Sequence, residues 1–376
     1  MDTRVAVHDG FEALPASYRK LFLEAAAREG FFFSLPWLTQ LSSTSLEGAR
    51  LRIYGVESSP AGGHGVARLV LPLVNQRASS GIAAMRELAA CANFYSSLFG
   101  PAIAAGLDDE AVQRDMVLLA RAIASEAPAW HTVRLHPMAI DAPVFALCAA
   151  AFRQVGMAVQ PFFCFGNWYL QVNGRSYQEY AQSLPSRLRN TLARKTRQLD
   201  ASHKARFVII TDEQDVAEGI DAFERVYRSS WKPSEAHPAF IPGLIRMAAQ
   251  QGWLRLGVAY VDGEPAAAQL WLVSHGVASI YKLAYDQRYA ALSIGSILTA
   301  RMMEHAIDVD RVREVDYLTG DDDYKRDWMS HRRERWGMVA FNLRTVRGML
   351  AAARHIGGHA LKDLWCRRRC TTQTEK

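Results

Sequence analysis

Hydrophobic positions between residues 206 and 343 switch between two periods, and the switches outline a run of elements. Arg206 to Thr211 is a short β-branched run that predicts a strand. Helical spacing follows over Gln214 to Trp231 and again over Pro238 to Gln251. Three strands come next, Trp253 to Val261, Pro265 to Val273 and Val277 to Tyr285. They are separated by Asp262-Gly263 and His275-Gly276, dipeptides that tolerate the positive φ of tight hairpin turns. Ile294, Ile297, Leu298 and Met302 then share one face of a helix. Glu314 to Leu318 predicts a further strand, and Trp336 to Leu343 the last.

The first half gives the same order. Val5 to Val7 reads as a strand, Ala16 to Arg28 and Trp37 to Leu41 as helices. Leu51 to Glu57, Val66 to Asn75 and Ile82 to Ala90 form a second three-strand run, with Gly62-Gly63-His64-Gly65 as its first turn. Glu110 to Glu126 predicts the crossing helix and Thr132 to Leu135 the next strand. A helix over Ala142 to Val155 and a strand from Val159 through Trp168 to Val172 complete the unit. The halves share element order and little residue identity, so the expectation is a duplicated mixed α/β fold. Its parts are residues 1–172, residues 173–345 and a C-terminal tail over 346–376.

Composition narrows the class. With 376 residues, 49% hydrophobic and 22% charged, the chain can bury more than one core and is not a disordered polymer. Its formal charge of +6 is local. From Arg344 onward there are eight bases and two acids, so the tail carries all of that excess and the rest is neutral. A general DNA-binding surface is therefore not expected. The five cysteines are dispersed without the paired short spacings of a zinc site, which fits a reducing compartment and no metal centre. The N-terminus lacks a secretory pattern, and no run approaches the ~20 apolar residues of a membrane span. These features together predict a cytoplasmic protein.

Candidate chemistry concentrates between Ile280 and Trp336. Tyr281, Lys282, Tyr285 and Asp286 end a strand, and Ser293-Ile294-Gly295-Ser296 opens a helix. The following strand runs into Asp321, Asp322, Asp323, Tyr324 and Lys325. Unpaired amides and the dipole at a helix start attract phosphate, and glycine lets a ligand approach the backbone. The alternative is structural, with Ser293 capping the helix and Gly295 relieving packing. Upstream, Arg187, Arg189, Arg194, Lys195 and Arg197 surround the apolar row Leu184, Leu188, Leu192. This helix either clamps phosphates through Arg187 and Arg194 or presents a solvated face. Val346, Met349, Leu350 and Ala353 form an apolar stripe beside Arg347 and Arg354, and Trp365 with Arg367 to Arg369 lies beyond. Such a tail either touches an anionic membrane surface or docks on its own domain. Trp37, Trp231, Trp253 and Trp271 sit in patterned segments and are read as core.

Ala284-Tyr285-Asp286 before Tyr289, Leu292-Ser293-Ile294-Gly295, and Gly320-Asp321 leading to Tyr324-Lys325-Arg326-Asp327-Trp328 resemble the GNAT (Gcn5-related N-acetyltransferase) superfamily. The order of these motifs is similar to the BioF2-like, FemAB-related branch with two GNAT-like domains. The resemblance extends from about Leu184 to Trp336, with weaker support from Phe32 to Trp37 and Asn93 to Ser96. It implies two tandem GNAT-like domains and acyl transfer to an amine, with an acyl-CoA as co-substrate whose pyrophosphate meets residues 293 to 296. The implied acceptor is an amino sugar or another envelope-polysaccharide precursor. That reaction needs a base and a donor for the leaving group. Asp321 is the expected base, Tyr324 or Tyr285 the donor, and Lys325 a ligand for a substrate carboxylate or phosphate. Tyr281, Lys282 and Asp286 are expected to contact substrate from the same edge. Two alternatives stay open, an aminoacyl-tRNA-dependent peptidoglycan ligase and a non-catalytic GNAT-like scaffold.

Overall fold

Two copies of one element order follow each other along the chain in the computed structural model, which describes residues 2–46, 48–59, 65–77 and 85–355. The first copy comprises β1 (Asp2–His8), α1 (Ala16–Glu29), α2 (Leu35–Ser45), β2 (Arg50–Ser59), β3 (Val66–Arg77) and β4 (Arg86–Ala90). It continues through the short β5 (Ala102–Ile103), α3 (Asp109–Ser125), β6 (Thr132–Ala139), α4 (Pro143–Gln154) and β7 (Met157–Gln171). Two helices, α5 (Tyr177–Ser183) and α6 (Ser186–Ser202), link the copies. The second copy is β8 (Ala205–Ile210), α7 (Val216–Arg228), α8 (Phe240–Gln250), β9 (Leu254–Val261), β10 (Glu264–Ser274) and β11 (Val277–Tyr285). It ends with α9 (Ile294–Glu304), β12 (Glu314–Asp316), α10 (Asp323–Trp328) and β13 (His331–Asn342).

Local chemistry accounts for the element ends. Asp262 and Gly263 have φ of 50° and 87°, and His275 and Gly276 have 49° and 77°, the left-handed pair that a two-residue hairpin needs. Ser34 caps α2 by accepting from the Trp37 amide, and Ser176 with Glu179 forms a full capping box on α5. Along β10, Ala268, Leu270 and Leu272 join the core shared with α7 and α8, whereas Ala267 and Trp271 join the one under α9. A strand covered on both faces reads as a continuous apolar run, as this one does.

All the strands join one sheet in the order β1-β2-β3-β4-β6-β13-β7-β12-β11-β10-β9-β8, with β5 beside β3. The order is symmetric about the β13–β7 pair. Each half-sheet has one parallel step, β4 with β6 and β11 with β12. The closing strands are exchanged: β13 pairs with β6 of the first copy, and the end of β7 pairs with β12 of the second. The last strand thus starts earlier than the pattern at Trp336 suggested and stitches the halves together. Helices α2 and α8 add a second seam, where Trp37 meets Phe240 and Tyr281 edge-on at ring distances of 5.9 Å.

A buried polar knot sits at the centre of the exchange. Asn167 Nδ2 donates to Asp316 Oδ1 at 2.5 Å and to the Leu318 carbonyl at 2.8 Å, while Arg333 Nε donates to Asn167 Oδ1 at 2.7 Å. Arg333 also pairs with Asp316 and Glu314. Asn167→Leu would strip the Leu318 carbonyl of its Asn167 donor and take one partner each from Arg333 and Asp316, which keep others, at a cost of roughly 1–3 kcal/mol. A loss of that size in a urea titration is expected, and an unchanged midpoint would show that the knot does not hold the ribbon.

Trp37 and Trp271 are buried, as read from the pattern, but Trp231 is 50% exposed because α7 stops at Arg228 and leaves it on a loop. The stripe at Val346, Met349, Leu350 and Ala353 lies on a helix over 346–355, and the neighbouring Ala352 packs against Val339 and Phe341. Val346, Met349 and Leu350 are exposed. Trp365 and the arginines at 367 to 369 lie outside the described residues. No helix among the described residues is long and apolar enough to cross a membrane.

Candidate active site

Strands β11 and β12 pair only over Val277–Ser279 and Glu314–Asp316. Beyond that step β11 continues to Tyr285, whereas the chain after Asp316 leans onto β7. The Tyr317 amide donates to the Trp168 carbonyl at 2.9 Å, Leu318 takes a φ of 54°, and Gly320 bridges to Asn167. A gap therefore opens in the sheet. On the other side of β11, a bulge sets Leu270 opposite Lys282 and Trp271 opposite Ile280, leaving Tyr281 as the extra residue. Bulges re-aim side chains. Here the Tyr281 hydroxyl reaches the Tyr95 carbonyl at 2.9 Å, tying the first copy to the site.

Two cavities flank the gap. The larger, about 350 Å³, is bounded by Tyr285, Trp231, Trp328 and the α9 start at Ser293 to Ser296. Ser293 adopts φ 54° and its side chain makes no capping bond, so no capping side chain occupies the Ile294 and Gly295 amides, while those of Ser296 and Ile297 donate to the Ser293 carbonyl. A Cβ on Gly295 would lie 3.2 Å from the Tyr285 ring. Behind it, buried Gln269 donates to the Gly295 carbonyl at 3.0 Å and to Thr299 Oγ1 at 2.8 Å, and accepts from Trp271 Nε1 at 2.9 Å. This chain of bonds fixes the turn. The corresponding helix of the first copy, α3, opens on Asp108, Asp109 and Glu110. Three carboxylates there would repel an anion, while α9 has no acid in its first turn.

The second cavity, about 250 Å³, is lined by Tyr95, Lys232, Lys282, Asp322 and Lys325 among others, and shares Leu283, Tyr317 and Tyr324 with the first. Lys325 is 5% exposed and donates to the Thr319 carbonyl at 2.5 Å and the Gly320 carbonyl at 3.3 Å, with Asp322 at 3.3 Å. Burial lowers its pKa despite Asp322. Lys282 pairs with Glu235, which also accepts from the Tyr95 hydroxyl at 2.8 Å. Burial works to raise the Glu235 carboxyl, but hydrogen bonds from Lys282 and Tyr227 outweigh it and hold it below the usual range. Tyr324 is pushed up to about 12 by burial and by Asp322, so its phenol keeps its proton at neutral pH.

The residues expected from sequence divide into two groups. Ser293, Ile294, Gly295, Ser296, Tyr285, Tyr324, Tyr281, Lys282 and Lys325 all line one or both cavities. Asp321 lines neither. Arg332 grips its carboxylate at 2.7 to 3.1 Å, and Trp168 Nε1 donates at 2.6 Å. The pair lies against Gly166, where a Cβ would come within 2.6 Å. Arg332 holds the Asp321 pKa low, which disfavours a proton acceptor. Its neighbour Asp322 is the carboxylate on the cavity wall. Asp286 lines neither cavity either: it is buried, accepts from the Arg288 amide and pairs with the Arg288 side chain. Arg187 and Arg194 are exposed on α6 and line neither cavity. Sequence patterning missed Lys232 and Glu235, which lie on the loop between α7 and α8, and Tyr95 from the first copy. Residues 232–235 look like an ordinary polar loop, and the segment from Asn93 to Ser96 supported the resemblance without pointing to a site. Among the described residues, no group of three or more His, Cys, Asp or Glu could hold a metal ion.

Comparison with known proteins bears on the fold. Residues 186–326 match the model of the acetyltransferase (GNAT) domain family. The fold is similar to the crystal structure of FemX, with a TM-score of 0.60, 10% identity, and coverage of 91% of this chain and 98% of that one. It is also similar to the C-terminal domain of a protein described as a lysylphosphatidylglycerol synthetase from Agrobacterium fabrum (TM-score 0.51, 11% identity, 90% and 96% covered). A conserved protein of unknown function from Bacteroides thetaiotaomicron gives 0.54 at 10% identity, with 89% and 100% covered. No curated protein sequence matches. At these identities the structures speak to fold alone. Residues 186–326 thus match the acetyltransferase (GNAT) domain family, and the chain as a whole shares the fold of FemX.

Proposed function

We propose that this protein is an N-acyltransferase that takes an acyl group from an acyl-CoA thioester in the gap cavity and passes it to an amine in the lysine-lined cavity. The observation that carries this reading is the junction of the two cavities at Leu283, Tyr317 and Tyr324. The pyrophosphate of the donor would rest on the α9 start, held by amides that Gln269 and Trp271 keep in place. The acceptor nitrogen attacks the thioester carbonyl, forming the C–N bond as the C–S bond breaks. Asp322 takes the proton that nitrogen must lose, and the Tyr324 phenol supplies one to the departing thiolate. Asp321 has the role of fixing the 319–322 turn through Arg332. An amino sugar or similar envelope precursor is the acceptor class this reading favours.

The test is thermal stabilisation of the purified protein across coenzyme A, acetyl-CoA and longer acyl-CoAs. A ligand that binds only the native state raises the melting temperature by mass action. A rise with thioesters supports the reading and its size along the series identifies the acyl chain; a flat series up to millimolar ligand rejects it. Aminoacyl-tRNA is the second donor to weigh, because Lys195 of α6 donates to the Ala291 carbonyl and so brings a helix rich in exposed arginine beside the α9 start. Stabilisation by RNA in place of thioesters would favour it.

A further inference from the structure

The lysine-lined cavity holds more positive charge than its surroundings neutralise. Of its three ammonium groups, Lys282 is paired with Glu235, and Lys325 with Asp322 and two carbonyls. Among the described residues, no carboxylate stands at ion-pair distance from Lys232; its ammonium lies over the Trp231 ring, 5.7 Å from Nζ to centroid. One unmatched cation therefore faces a small, partly enclosed space beside the expected point of attack. An acceptor bearing only an ammonium group would enter this field against repulsion. An acceptor with its own anionic group would be drawn in by it.

We infer that the acceptor is an anionic amine, whose phosphate or carboxylate binds Lys232 in the cavity formed with Lys282 and Lys325. This rests on the reading of that cavity as the acceptor side of an acyltransferase. Phe94, 63% exposed at the rim and stacked 6.1 Å from His237, offers an apolar face for the body of such a molecule. The groups that face Lys232 are Glu235 on its own loop, Lys282 on β11, and Asp322 and Lys325 around the start of α10. Burial first, and Lys282 second, push its pKa down to about 8. A bound anion would relieve that strain on the charged form, and anion binding should weaken as pH rises through about 8.

The experiment titrates full-length protein at pH 7 with glucosamine 6-phosphate, muramic acid, glucosamine and inorganic phosphate, following heat of binding and melting temperature. Lys232→Gln and Lys232→Arg variants are run alongside. At least one anionic amine is expected to bind about tenfold or more tighter than glucosamine, the size of a charge-assisted hydrogen bond. Lys232→Gln should erase that difference and Lys232→Arg should keep it, with the loss above pH 8 abolished. Preference for the phosphate or for muramic acid tells phosphoryl from carboxylate. Equal or absent binding of all four ligands to wild type, or a preference that survives Lys232→Gln, overturns the inference. An acetyl-CoA shift measured in the same samples separates the cases: a shift with no anion preference ends only this inference, and anion binding with no shift ends only the donor assignment.

Discussion

Asp322→Asn is expected to lower acyl transfer by about 10²–10⁴-fold, the range for loss of a positioned base. The melting temperature should stay close to wild type, because the Asp322 side chain is 61% exposed and Lys325 keeps its two carbonyl acceptors. Asp321→Asn should behave in the opposite way. Its carboxylate is bound by Arg332 and Trp168, so turnover should change only a few-fold while the turn loosens. Thiol release from an acyl-CoA that stabilises the protein, with an amine acceptor in excess, distinguishes the pair. An equal loss in both variants, or full activity in Asp322→Asn, would remove Asp322 from the proton path.

Gly295→Trp is expected to abolish donor binding while leaving the acceptor side intact. A Cβ alone would already press on the Tyr285 ring at 3.2 Å, and an indole has nowhere to go but the gap cavity. At a ligand concentration a hundred times Kd, wild type gains about 2.7 kcal/mol of stability, and the variant should gain none. Thermal scans with and without coenzyme A measure this directly. A shift of wild-type size in Gly295→Trp would move the donor away from the α9 start.

The parts of the site that were legible in the sequence are those carried by one continuous segment. β11, the α9 start and the Tyr324-Lys325 pair announce themselves because strand period, helix period and turn dipeptides follow in close order, and Asp262-Gly263 and His275-Gly276 fix the hairpins that precede them. Other parts depend on how distant segments meet. Glu235 matters because Lys282 and Tyr95 reach it, and nothing in the pattern around residue 235 announces that meeting. Asp321 and Asp322 have the same chemistry and adjacent positions; Arg332, eleven residues on, and Trp168 on β7 hold Asp321 away from the cavity. Strand exchange was equally hidden, since alternation specifies that β13 is a strand and not which neighbours it takes.

That exchange governs how the protein can be made. Because β13 lies between β6 and β7, the first copy's sheet has an open interior slot until residue 342 has left the ribosome. An early nascent chain therefore carries unpaired strand edges beside a completed set of helices, the kind of surface that invites pairing with other chains. Folding of the two copies is coupled in time as well as in space. That interior slot closes only when β13 arrives.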